Sequence, residues 1–117
     1  MSNFAKVSAA SGPRTELHNV LNLTGAEISI NNLPAGGKVP FVHYHKKNEE
    51  IYFVTAGSGK AVIDGKDVEL ATGDWLKISP AGKRQIFAGD KGISYVCIQV
   101  KAGSLEGFTV DDGVIEK

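Results

Sequence analysis

His43 and His45 stand one residue apart in the stretch VPFVHYHKKNEEIYFV, with Glu49 and Glu50 close behind. Imidazole nitrogens and a carboxylate oxygen together make a donor set for divalent metal ions. Side chains on an extended segment alternate faces, so His43 and His45 point one way and Tyr44 the other. Their Cα atoms are then roughly 6.5–7 Å apart, close enough for both rings to reach one ion. The residues from Lys46 to Glu49 turn the chain, and Glu50 opens a neighbouring strand that brings its carboxylate to the two imidazoles. Two histidines plus one carboxylate is the facial arrangement of non-haem iron sites, and other divalent ions accept it. The competing reading is a solvated His-x-His pair on a strand edge.

These residues need a rigid extended frame, and the rest of the chain supplies the pattern of one. Fourteen glycines and four prolines punctuate short segments rich in Val, Ile, Phe, Tyr and Thr. That rhythm predicts an all-β sandwich or barrel. AEISINNL alternates, with Ile28 and Ile30 on one face and Glu27 and Ser29 on the other. EEIYFVTA reads as a strand that ends at the glycines of GSG. Asp64-Gly65, between two strand-like runs, predicts a type I′ hairpin. TGDWLKISPAGKRQIFAG gives turn, strand, turn and strand, and GISYVCIQVKAG a further apolar strand. No stretch is a convincing helix; the nearest candidate is a single turn within RTELHNVLNLTG, where Leu17, Val20, Leu21 and Leu23 fit a strand almost as well. AGSGKA has a superficial likeness to a phosphate loop, but it joins two strands and lacks the helix such a loop needs.

The chain's 117 residues suit one domain, spanning 1–117, with a motif-bearing core from about residue 24 to 103 and flexible termini. Lysine plus arginine equals aspartate plus glutamate, 13 each. The balance gives no reason to expect nucleic acid or an anionic membrane as partner. The single cysteine, Cys97, excludes an internal disulfide and reads as a buried, inert thiol within an apolar run. The N-terminus lacks the apolar core of a signal peptide, and no apolar run approaches the ~20 residues of a membrane helix. The expectation is a cytoplasmic protein.

The spacing also resembles the first motif of the cupin superfamily: Gly37, five residues, His43, one residue, His45, four residues, Glu50, six residues, Gly57. Gly73, Pro80 and Gly82 in GDWLKISPAGKRQIF are similar to the frame of the second cupin motif. Three positions after Gly82, where the family commonly carries a fourth ligand, histidine, this chain has Gln85. The downstream asparagine of that motif is also missing, the chain reading Gly89-Asp90. The resemblance implies a small antiparallel jelly-roll β-barrel holding a divalent metal through His43, His45, Glu50 and Gln85. Zinc, nickel, iron and manganese all remain open. Glu49 would be one residue out of register, and a one-residue shift on a strand turns a side chain to the opposite face. Gln85 offers a neutral amide oxygen in place of imidazole nitrogen, which predicts weaker binding of softer metals and one corner that is easily vacated.

Alternation places Tyr52 and Val54 on the face of Glu50, and Phe87 and Lys83 on the face of Gln85. The expected cavity has apolar walls and a polar floor, the general form of a small-molecule site. Lys83 and Arg84 read as loop cations near its mouth. Glu50 is engaged as a ligand, so Tyr52 is the one candidate for acid–base work. The function implied is a metal-binding cupin that acts on or binds a small organic molecule, by dioxygenase, isomerase or lyase chemistry. The alternative is a non-catalytic module that binds or senses a sugar or other small ligand. The resemblance, together with apolar runs such as IYFV and YVCIQV, implies a homodimer.

Overall fold

The computed structural model describes residues 2–8 and 12–116. Its elements are β1 Arg14–Glu16, α1 His18–Leu21, β2 Glu27–Leu33, β3 Asn48–Ile63, β4 Lys66–Ala71, β5 Trp75–Ile78 and β6 Arg84–Lys101. Every strand pairing is antiparallel, in the spatial order β1-β2-β6-β3-β4, with β5 also on β3. The β-branched and aromatic composition is thus realised as strands, and among the described residues helix is limited to the four-residue turn α1.

The spine is the pair β3 and β6, of 16 and 18 residues, running from Asn48↔Lys101 to Ile63↔Arg84. The sequence predicts a strand end at GSG, whereas β3 continues through it with register shifts between Val54 and Ala56 and between Gly57 and Gly59. Gly57 has φ 75°, and a Cβ there would fall on the Gly92 carbonyl oxygen. These glycines therefore let two backbones cross closely, which bends the pair instead of ending it. Residues 89–92 bulge on the β6 side, and the buried positions change from Arg84 and Ile86 to Ile93, Tyr95 and Cys97.

The hairpin at Asp64-Gly65 forms as expected. Ile63 pairs with Lys66, and the two turn residues have φ of 50° and 80°. One part of the interior, away from the cavity described below, is apolar, built from Val54, Ala61, Leu70, Ile78 and Ile93. Burying a side chain such as Ile93 contributes about 1.5–3 kcal/mol. The other part is more polar. On β2 the buried face is that of Ser29 and Asn31, whose side chains bond to each other at 3.0 Å, while Ile28 and Ile30 stay partly exposed.

Candidate metal centre and its cavity

The histidines lie on an extended arm, residues 38–47, laid along the start of β6. Val39 N–H donates to the Ile86 carbonyl at 3.0 Å. His43 and Arg84 exchange backbone hydrogen bonds of 3.0 and 2.9 Å, and His45 N–H donates to the Pro80 carbonyl at 2.8 Å. Alternation along this arm turns His43 and His45 inward and leaves Tyr44 59% exposed. The two imidazoles meet edge to face, with centroids 5.3 Å apart.

Glu50, at the start of β3, completes the cluster. His43 Nε2 is 3.8 Å from Glu50 Oε1 and His45 Nε2 is 3.1 Å from Glu50 Oε2. One ligand atom from each of the three lies within 4.8 Å of the others. His43 Nδ1 and His45 Nε2 are buried without a hydrogen-bond partner. The 3.1 Å approach of His45 to Glu50 is close, but it lies off the line a hydrogen bond needs. A buried imidazole nitrogen without a partner, His45 Nε2, beside a carboxylate suits a divalent ion, which would satisfy it. The three residues therefore fit a metal. Glu49 is on the other face of β3, as the register argument predicts.

The carboxylate of Glu50 is only 3% exposed and richly served. Its Oε1 accepts from the Tyr52 hydroxyl and from Arg84 Nη1, both at 2.7 Å, and its Oε2 accepts from the Cys97 thiol at 3.3 Å. Burial pushes the carboxyl pKa up, but the Tyr52 hydrogen bond, His45, Arg84 and Cys97 outweigh it and hold the group below its usual range. His43 is lowered, because burial and the nearby positive groups prevail over the attraction of Glu50. Tyr52 and Cys97 are both pushed far up, first by burial. Tyr52 thus donates its proton to Glu50 and holds the carboxylate in place. Cys97 is buried as expected, yet it also touches the site.

Gln85 is placed apart from this cluster. Its amide nitrogen donates to the Val39 carbonyl at 2.7 Å, and it lines a second cavity with Val42, Val62, Lys83 and Phe87. Arg84 takes the inward position instead, fully buried at 0% exposure, where the sequence suggests a loop cation. The physical reason is strand parity. The turn from Ser79 to Gly82 and the pairing of His43 with Arg84 choose which residue of β6 first faces inward. No periodicity within KRQIF decides that choice.

Above the cluster opens a cavity of about 560 Å³. Leu33, Val39, Phe41 and Ile86 form apolar walls, and Asn31 and Arg14 are polar. Arg14 Nη1 donates to Asn31 Oδ1 at 2.9 Å, which brings β1 to the cavity rim, a contribution with no signal in the local sequence. Tyr95 also lines the cavity, its phenol pushed up to about 12 chiefly by burial.

The Cupin domain family matches residues 29–98, more than half of the 117-residue chain. The chain is a cupin. A solved cupin protein from Bacteroides fragilis is 59% identical to it, with both chains covered in full and a TM-score of 0.97. The cupin is also similar to a structure from Thermotoga maritima described as a predicted oxalate decarboxylase, at 25% identity and a TM-score of 0.59, covering 63% of this chain and 64% of that one. A sugar phosphate isomerase of the cupin superfamily from Silicibacter pomeroyi is 20% identical, covering 77% and 60% with a TM-score of 0.66, a likeness of fold. No curated protein matches the cupin. The antiparallel jelly-roll barrel expected from the sequence is the fold observed.

Proposed function

We propose that this cupin binds a divalent metal ion through His43, His45 and Glu50, and binds or acts on a small organic molecule in the adjoining cavity. The observation that carries the reading is the cluster at the cavity floor, where His43 Nε2 and His45 Nε2 lie 3.8 and 3.1 Å from the buried Glu50 carboxylate and His45 Nε2 is buried without a hydrogen-bond partner. A bound ion would supply Lewis acidity or, if it were iron, redox chemistry, of use in isomerase, lyase or dioxygenase reactions. The chain's own part is to keep the His43 imidazole neutral and both rings aimed, to hold Glu50 ionised through Tyr52, Arg84 and Cys97, and to enclose the ligand between Leu33, Phe41 and Ile86. The names carried by the Thermotoga and Silicibacter structures support small oxygen-rich molecules as the ligand class.

A second reading, a non-catalytic binding or sensing module, is favoured by the state of the acid–base groups. Tyr52 and Cys97 commit their protons to Glu50 and are held far from ionisation by burial, so neither is poised as a base. Metal analysis of protein prepared with zinc, nickel, iron and manganese tests the first reading. About one ion per chain, lost in His45→Ala, supports it, and no ion in any preparation overturns it. Oxygen-uptake and isomerase assays across a panel of small molecules then separate enzyme from binder, since stoichiometric metal without turnover selects the module.

The protein is further proposed to work as a cytoplasmic homodimer. No helix among the described residues is long and apolar enough to cross a membrane. Trp75, 65% exposed, stacks on Phe53 at 4.3 Å and offers an apolar surface for a second copy. Sedimentation at micromolar concentration showing a monomer would remove the dimer.

A further inference from the structure

We propose that Arg84 is a permanent cation built into the metal centre, which occupies one side of the Glu50 carboxylate and sets the affinity of the His43–His45–Glu50 site for divalent ions low. This rests on the metal reading above and adds the residue that tunes it.

Three observations place Arg84 there. Its side chain is 0% exposed, and Nη1 lies 2.7 Å from Glu50 Oε1. Its other two nitrogens are tied down, with Nε on the Gly82 carbonyl at 2.7 Å and Nη2 on the Ser79 carbonyl at 2.8 Å. Its backbone pairs with that of His43, so the guanidinium is anchored to the strand arm that carries the histidines. A side chain held at three points does not swing aside for an incoming ion.

The charge balance follows. Imidazoles must be neutral to ligate, Glu50 contributes one negative charge and Arg84 one positive charge, so the cluster is neutral before an ion enters. Without Arg84 it would offer a net negative charge. Guanidinium does not lose its proton in proteins, so the opposing charge cannot be relieved by titration. Glu50 Oε1 already accepts two strong hydrogen bonds, which leaves Oε2 as the freer donor and lowers the basicity of the whole carboxylate. Outer partners of metal ligands usually raise ligand basicity, and losing one costs about 10–100-fold in affinity. A cationic partner reverses the sign. Tyr52 and Cys97 still orient the carboxylate when Arg84 is replaced.

Calorimetric titration of the full-length protein with Zn²⁺ and with Ni²⁺ tests this, comparing wild type with Arg84→Met, Arg84→Gln and Arg84→Lys. Thermal unfolding without metal checks that each variant is folded. The expected result is tightening by about tenfold or more in Arg84→Met and Arg84→Gln, with Arg84→Lys close to wild type because it keeps the charge. Arg84→Gln, which keeps a donor for Glu50, carries the test if Arg84→Met does not fold. Should wild type bind while the folded uncharged variants bind equally or more weakly, Arg84 is not the tuning charge and the metal reading stands. Absence of binding in wild type and every variant overturns both.

Discussion

The two faces of β6 at its start make the sharpest contrast in the molecule. Ile86 lines the cavity that holds His43, His45 and Glu50, and Arg84 on the same face is buried against Glu50, whereas Gln85 and Phe87 face the smaller cavity beside Val42 and Val62. On the first face a buried charge meets a buried carboxylate, and two imidazole nitrogens lack partners. On the second, a neutral amide is tied to the Val39 carbonyl and the surrounding side chains are largely apolar. One face concentrates polar groups whose hydrogen-bonding capacity the chain itself does not use, and the other completes its hydrogen bond on a backbone carbonyl. Burial of polar groups therefore does not mark a site by itself. What marks it is burial with hydrogen-bonding capacity unused.

Glu50→Gln should break this contrast most severely. It leaves the Arg84 guanidinium buried without a counter-charge, and removal of one partner from a buried pair costs about 3–5 kcal/mol. Urea unfolding without metal measures the loss, and a change below about 1 kcal/mol would mean that Arg84 draws little from Glu50.

Acid challenges the same face without mutation. Glu50 has a lowered pKa in the fold, so it stabilises above its unfolded value, and that stabilisation disappears as pH falls through the folded value. His43 is lowered from 6.5, so the unfolded chain takes up its proton first and stability begins to fall as pH drops below that value. Both effects have the same sign. The melting temperature of the metal-free protein should decline on acidification from neutral pH, and the lower part of that decline should shrink in Glu50→Gln.

Gln85→Ala probes the opposite face. It removes the bond to Val39, for a loss of about 1 kcal/mol, and should leave zinc affinity unchanged. A clear fall in affinity would return Gln85 to the ligand set. Trp75→Ala, at a residue that lines neither cavity, should cost the isolated protein about 0.5–1.5 kcal/mol from its stack with Phe53. If that surface joins two copies, its larger effect is dissociation, visible by sedimentation.

The pairing of His43 with His45 was legible because strand alternation is a local property, and Glu50 was separated from Glu49 by the same parity. The Asp64-Gly65 hairpin was legible because its φ angles are a matter of two residues. The path of β3 through GSG was not, since those glycines answer to the Gly92 and Phe87 backbone across the spine. Nor was the buried face of β2, where Ser29 and Asn31 go inward over the apolar Ile28 and Ile30 because the cavity end of the barrel is polar.

By itself the sequence determined what depends on near neighbours: an all-β chain, its tightest turn, and three potential ligands with the parity to converge. Only the tertiary structure decided that Arg84, not Gln85, stands beside them. Which of two adjacent strand residues faces inward depends on how β6 is registered against the arm bearing His43, and that register is set by hydrogen bonds between segments some forty residues apart. Spacing along a chain carries no record of that choice.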